Sequence, residues 1–372
     1  MSSRRKIAFI KHSNFSGINS SVLEILKVNF PDFEIEIIDI FTDIISNKDL
    51  PSFFYCLKEY GIDILLGRKN ISAATYLMTP YVLNKIRKII LEKLASKEYT
   101  FTFQTQSLFD GSIPGIPHFV YTDHTRLACL QYPEFNPRDL PGVKFIELEK
   151  QVYQNATLNF TMSSNISQSL IEDYSCSPQQ ISCVYCGANI QVKKDESFTK
   201  DRYKKKNILF VGKKWGRKGG ELLAEAFPQV LDSHPDAVLT IVGCTPDLNL
   251  PNCNIVGTIP LADVKAYFKQ ASIFCLPTRI EPFGIVFLEA MACKLPIVAS
   301  NIGAIPEFVI EGRNGYMIGE NDPQQLAQRI IELIDSPEKC ETFGEYGHKL
   351  LWDRYTWEQT GLRIRKNIEQ FL

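Results

Sequence analysis

The sequence predicts an α/β protein of two doubly wound, Rossmann-like domains facing one another across a cleft. Three observations predict it. Through the first half, short β-branched and aromatic runs alternate with longer helical patterns, the rhythm of a parallel sheet covered on both faces. A polar and charged stretch with no apolar period, Gln191 to Asn207, then interrupts that rhythm, which restarts beyond it. Finally, 372 residues exceed the roughly 250–300 at which a single core stops growing. The expected limits are 1–195 for the first domain, 196–355 for the second, and 356–372 for a C-terminal helix packing back across a domain surface.

The elements follow in order. "KIAFI" is a strand and "INSSVLEILKVNF" a helix, and "FEIEIIDI" is the next strand. "AATYLMTPYVLNKIRKIILEKLA" predicts a long helix with Pro80 near a bend or break, because proline cannot donate to the helical ladder. "YTFTFQT", "PHFVYT" and "TLNFTMS" are strands, with a helix around "FIELEKQVYQN"; "NISQSLIEDY" is another helix, with cap candidates at Ser163 to Asn165. "ISCVYC" closes the first half as a buried strand. In the second half "NILFVG", "AVLTIVG", "NIVG", "IFCLPT" and "PIVAS" are strands. They interleave with helices at "GELLAEAFPQVL", "LADVKAYFKQA", "FGIVFLEAMAC" and "PQQLAQRIIELI". Asp322 followed by Pro323 fits an N-cap with proline in the first turn. The last pattern sets Tyr355, Trp357 and Leu362 on an otherwise charged segment.

Composition narrows the function classes. A formal net charge of -1 with 45% hydrophobic residues carries no polyanion-binding signature, so nucleic acid is not expected as a partner. The N-terminal apolar run, Ile7 to Ile10, is shorter than a secretory core, and nowhere do about 18 apolar residues follow one another. A cytoplasmic protein is expected, and the sequons at Asn70 and Asn165 then carry no meaning. The ten cysteines read as reduced, half-buried apolar residues, and the Cys183/Cys186 spacing reads as strand rather than as metal or redox half-site. Attachment at the inner membrane surface stays open through "YVLNKIRKIILEKLASK". There Lys85, Arg87, Lys88, Lys93 and Lys97 flank an apolar stripe, although an ordinary amphipathic surface helix is the stronger reading.

Two stretches carry chemistry. "NILFVGKKWGRKGGELLAEAF" is a strand, a turn bearing Lys213, Lys214, Arg217 and Lys218, and a helix opened by Gly219 and Gly220. Glycines let an anion approach helix amides, and the cations would neutralise a diphosphate. Neither a Walker loop nor the GxGxxG fingerprint is present. "RIEPFGIVFLEAMACKLPIVASNIGAIPE" sets Glu281 in a loop, Phe283 and Gly284 at a helix start, and Glu289 inside the helix on an otherwise apolar face. A carboxylate there needs hydroxyl partners or is costly. Two carboxylates flanking amide donors can hold a sugar, a diphosphate and a ribose in one line. In "HFVYTDHTR", His124 follows a strand, whereas His118 starts it and reads as structural.

"VGKKWGRKGG", "NIVGTIP", "PTRIEPFGIVFLEAMACKLPIVASNIGAIPE" and "GYMIGEND", in their order and spacing, resemble the retaining glycosyltransferases of family four, the glycosyl transferases group 1. The resemblance implies the two-domain GT-B fold and transfer of a sugar from a nucleotide-diphosphate donor, UDP- or GDP-linked, to an acceptor hydroxyl on a glycan, lipid or small molecule. It implies a metal-independent, same-face mechanism with no further cofactor. By position, Lys218 and Lys213 would bind the donor diphosphate, and Glu281 the donor sugar. Phe283, Gly284, Ile285 and Val286 would give backbone contacts, Glu289 would hold the ribose, and Ile259 would lie by the base. His124 would match the catalytic histidine and Gly17 the turn after the first strand, although the family commonly has a richer glycine loop there. Two alternatives remain: a non-catalytic nucleotide-sugar-binding subunit, and a GT-B nucleotide-sugar epimerase.

Overall fold

The computed structural model describes residues 5–13, 15–40, 50–66, 78–95 and 98–372. The expected positions Asn70, Lys97 and the stretch 73–77 lie outside them. The chain divides into two compact units. The first comprises Met1–Gln131, Phe135–Tyr185 and Thr360–Leu372, and the second Tyr132–Glu134 and Cys186–Gln359.

The first unit holds a six-stranded sheet of β1 (Arg5–Lys11), β2 (Phe33–Asp39), β3 (Phe101–Thr105), β4 (His118–Thr122), β5 (Leu158–Thr161) and β6 (Ile181–Cys183), in the order β2-β1-β3-β4-β5-β6. Every pairing is parallel; Ile7, for example, sits between Ile35 and Phe101. Strands covered on both faces are shut off from water along their length, and β3, β4 and β5 are buried at every position, polar residues such as Gln104 and Asn159 included. Among the described residues the covering helices are α1 (Ile18–Asn29), α2 (Leu50–Leu65), α3 (Pro80–Leu94), α4 (Val143–Asn155) and α5 (Ser164–Glu172).

Three expectations meet particular features of this unit. Pro80 is the first residue of α3, where a missing N–H costs nothing, and Thr79 caps it by accepting from the Val82 amide at 3.3 Å; residues 73–77 of the expected longer helix lie outside the described residues. The apolar stripe of α3, including Val82, Ile86, Ile90 and Leu94, packs into the core with Ala8, Ile10 and Phe109, so it is unavailable to a lipid surface. Arg87 is likewise engaged, donating to the Asp110 carbonyl at 3.0 Å. The "ISCVYC" strand shrinks to three half-buried residues at the sheet edge, because the chain turns away through Tyr185 at φ 61°. Ser163 caps α5 as expected, accepting from the Ile166 amide at 3.3 Å.

The second unit repeats the architecture with β7 (Asn207–Val211), β8 (Val238–Val242), β9 (Cys253–Gly257), β10 (Ile273–Leu276), β11 (Ile297–Ser300) and β12 (Gly315–Ile318), in the order β12-β11-β10-β7-β8-β9, again all parallel. Its helices are α6 (Gly220–Ser233), α7 (Leu261–Gln270), α8 (Ile285–Ala292), α9 (Pro323–Ile334), α10 (Pro337–Arg354) and α11 (Trp357–Ile368), the last continuing into the first unit. Asp322 caps α9 by accepting from the Gln325 amide at 2.8 Å. Ten free cysteines are spread over both units, six of them buried outright besides Cys186.

Candidate active site

In the second sheet the strand order reverses between β7 and β10. From β7 the chain proceeds to β8 and β9 on one side, and from β10 to β11 and β12 on the other. At such a switch point the crossovers diverge and leave a crevice beyond the carboxyl ends of the two strands. The two chemistry-bearing stretches are the loops that follow these strands.

The loops clasp one another. The Arg279 amide donates to the Arg217 carbonyl at 3.0 Å, the Thr278 hydroxyl donates to the same oxygen at 3.1 Å, and the Arg217 guanidinium donates to the Ile280 carbonyl at 3.0 Å. Gly219 explains how they come so close. It lies at φ 70°, and a Cβ there would stand 1.7 Å from the Pro277 carbonyl oxygen, so only glycine fits. The helices these loops open, α6 and α8, start at Gly219 and Gly284, both left-handed, and neither has a side-chain cap. Two helix N-termini thus offer amides that no side chain of the cap residue occupies, an arrangement that favours an anion.

Lys218, Glu281 and Glu289 converge at this point, only 8%, 4% and 6% exposed respectively. The Lys218 ammonium donates to the Glu281 carboxylate, each supplying the other's counter-charge in surroundings that would otherwise make a lone ion costly. The loop holding Glu281 is itself tied down: Tyr132 donates its hydroxyl to the Glu281 carbonyl at 2.7 Å. Glu289 stands one turn inside α8 with no ion-pair partner at contact distance among the described residues. Burial raises its carboxyl to about 7, against the opposing pull of an Asn189 amide hydrogen bond and the nearby Lys218 charge. A buried carboxyl so shifted is a poor structural element and marks a candidate functional position.

The other expected positions are distributed around this centre. Phe283 is buried against Phe308, with ring centroids 5.3 Å apart, while Ile285 and Val286 in the first turn of α8 are half-buried. Lys213 is exposed on the same loop as Lys218, and Ile259 is half-buried in the turn beyond β9. Tyr132 and Asn189 escaped sequence reasoning altogether, since neither sits in a motif and each meets its glutamate across a long stretch of chain.

In the first unit His124 is half-buried past the end of β4, its Nε2 3.1 Å from the Cys129 Sγ, and its carbonyl accepts from Tyr153 at 3.1 Å. His118 is fully enclosed: burial lowers its imidazole to about 4, and its Nδ1 lies 2.6 Å from the Thr102 hydroxyl. Gly17, at φ 85°, caps α1 from the turn after β1.

Residues 192–350 match the family described as Glycosyl transferases group 1. That match spans less than half of the chain and lies within its second unit. An uncharacterized glycosyltransferase of Methanocaldococcus jannaschii is 31% identical over 167 residues, 44% of this chain and 47% of that one. The chain spans about half the length of the curated relatives it matches. Among solved structures, a sucrose-phosphate synthase from Thermosynechococcus elongatus superposes with a TM-score of 0.72 at 18% identity, covering 99% of each chain. The Anabaena protein HepE, solved with UDP and glucose, gives a TM-score of 0.68 at 15% identity over 98% of this chain and 99% of its own. These likenesses show the fold: the chain has the GT-B fold, two Rossmann-like parallel sheets.

Proposed function

We propose that this chain is a retaining glycosyltransferase of the group 1 family that takes a sugar from a nucleotide-diphosphate donor, UDP- or GDP-linked, and passes it to a hydroxyl of a glycan, lipid or small molecule. The observation that carries the reading is the convergence of Lys218, Glu281 and Glu289 at the β7/β10 switch point, between two helix N-termini opened by glycine. In this reading the diphosphate is met by Lys218, Lys213 and the amides at Gly284, Ile285 and Val286. They stabilise charge as it develops on the leaving oxygen, the task a metal performs elsewhere. Glu281 accepts from hydroxyls of the donor sugar, and Glu289 accepts from those of the ribose, with Ile259 beside the base and Phe283 shaping the turn.

The bond from the anomeric carbon to the diphosphate oxygen breaks, the acceptor oxygen bonds to the same face, and its proton passes to the departing phosphate. His124 and Gly17 are assigned to the sugar and acceptor roles that the resemblance implies. The neighbour solved with UDP and glucose supports the donor chemistry by analogy of fold. Incubation of the purified chain with a panel of nucleotide sugars tests the proposal. Release of nucleoside diphosphate that rises with an acceptor is expected; a chain that neither binds nor cleaves any of them would refute it.

A further inference from the structure

Arg202 is 1% exposed and heads the largest fully buried side chains of the described residues, yet it lies in the polar stretch that reads as a linker. No carboxylate pairs with it among the described residues. A buried guanidinium without a counter-ion calls for another source of negative potential. Here the source is the carboxyl end of α8. Arg202 Nη2 lies 2.7 Å from the Cys293 carbonyl and 2.9 Å from that of Lys294, and the Phe198 and Tyr203 rings flank the guanidinium at 4.8 Å each.

Every carbonyl at this helix end is accounted for. The Leu295 amide donates to Ala290 at 3.0 Å and the Lys294 amide to Met291 at 3.0 Å, with Lys294 left-handed at φ 55°, the reverse turn that ends many helices. Ala292 faces His348 Nδ1 at 3.0 Å, Cys293 is taken by Arg202, and Lys294 by Arg202 and by the Tyr203 hydroxyl at 2.7 Å. A Cβ on Gly344 would stand 2.1 Å from the Lys294 carbonyl, so α10 closes over the same point. The segment bearing Arg202 is anchored in turn, since Ser272, just before β10, donates to the Arg202 carbonyl at 2.6 Å. Helix α8 has 8 residues, far below the ~12–15 at which an isolated helix becomes even marginal in water. Its amino end has no side-chain cap, so contacts at the carboxyl end add to those of the loop before it in fixing its place.

We infer that Arg202 is a positioning residue of the donor site. With Tyr203 and His348 it clamps the carboxyl end of α8 and thereby fixes where the helix presents its first amides and Glu289. This rests on the donor-site reading above, and the test separates the two. Arg202→Met and Arg202→Lys are made in the full chain, and hydrogen exchange over residues 285–295 is measured beside nucleotide-sugar affinity. Arg202→Met is expected to speed exchange across α8 selectively and to weaken binding roughly tenfold, as small displacements of aligned groups do; Arg202→Lys recovers part of both. Unchanged exchange overturns the clamp. Faster exchange with unchanged affinity overturns the positioning role and leaves a stabilising one. A wild-type chain that binds no nucleotide sugar refutes the donor site, and with it the positioning role, while the exchange result still decides whether the clamp exists. Should Arg202→Met fail to fold, Tyr203→Phe, which deletes only the hydroxyl bonded to Lys294, is expected to give the same pattern at smaller amplitude.

Discussion

Replacing Glu289 by glutamine should make the unliganded protein more stable at pH 8 while weakening its hold on a nucleotide sugar. Burial raises the carboxyl from the ordinary 4.5 to about 7, so the folded state binds this proton more tightly than the unfolded chain does. A group of that kind costs stability as pH rises from the unfolded value toward the folded one. Below pH 4.5 the cost is absent; between 4.5 and 7 it grows; above 7 it is complete. Carried from 4.5 to about 7, the full cost is on the order of 3 kcal/mol, and glutamine escapes it because it does not ionise. In a unit of this size that is a rise of roughly 6–12 °C in melting temperature. Thermal unfolding of wild type and Glu289→Gln at pH 5 and pH 8 measures it, with a much larger gap expected at the higher pH. An equal gap at both, or a variant less stable at pH 8, would show that no buried carboxylate titrates here and would remove the electrostatic argument for a hydroxyl-binding role.

The remaining predictions concern the same crevice. Wild-type affinity for a nucleotide sugar should tighten about tenfold from pH 6 to pH 8, since ligand hydroxyls need the ionised Glu289, and Glu289→Gln should flatten that dependence in calorimetric titrations. Glu281→Ala should abolish turnover in a nucleoside-diphosphate release assay. Lys218→Ala should weaken donor binding and also destabilise the fold by about 3–5 kcal/mol, because it leaves Glu281 buried and unpaired; the double replacement Lys218→Met with Glu281→Met should recover much of that stability in denaturant unfolding. Gly219→Ala should cost several kcal/mol, since it combines a left-handed residue with a 1.7 Å clash against the Pro277 carbonyl. Gly312→Ala, also left-handed but with open space around it, should cost only about 1 kcal/mol, which isolates the clash in parallel melts.

Much of this was legible in the chain because the responsible forces are local. Buried parallel strands are mostly apolar runs, so "NILFV" and "IFCL" declare β7 and β10, and the glycines beside them declare the loops. What escaped depends on partners distant in sequence. Strand β12 opens with Gly315, which lowers its β signal. That glycine is required because a Cβ would meet the Ile297 carbonyl at 2.3 Å. Helix α10 carries Gly344 and Gly347 inside it, which reads as a poor helix until the close approach to Lys294 and Asn314 is known. Helix α2 exposes Phe53, Phe54, Ile62 and Leu65, so its apolar residues follow no one-sided pattern. Arg202 was hidden for the opposite reason: a charged residue among charged neighbours looks solvated, and only the helix end it meets reveals otherwise.

The amide hydrogen bond from Asn189 to Glu289 bears on how the protein could be dissected. A fragment beginning at 196 would retain every strand of the second sheet and look complete by its secondary structure. It would nevertheless lack Asn189, and it would lack Lys194, whose carbonyl lies 2.8 Å from His348 Nε2. Excision at Cys186, where the second unit's main segment begins, keeps both, and so preserves the surroundings of the acid that any ligand titration of the isolated lobe would be reading.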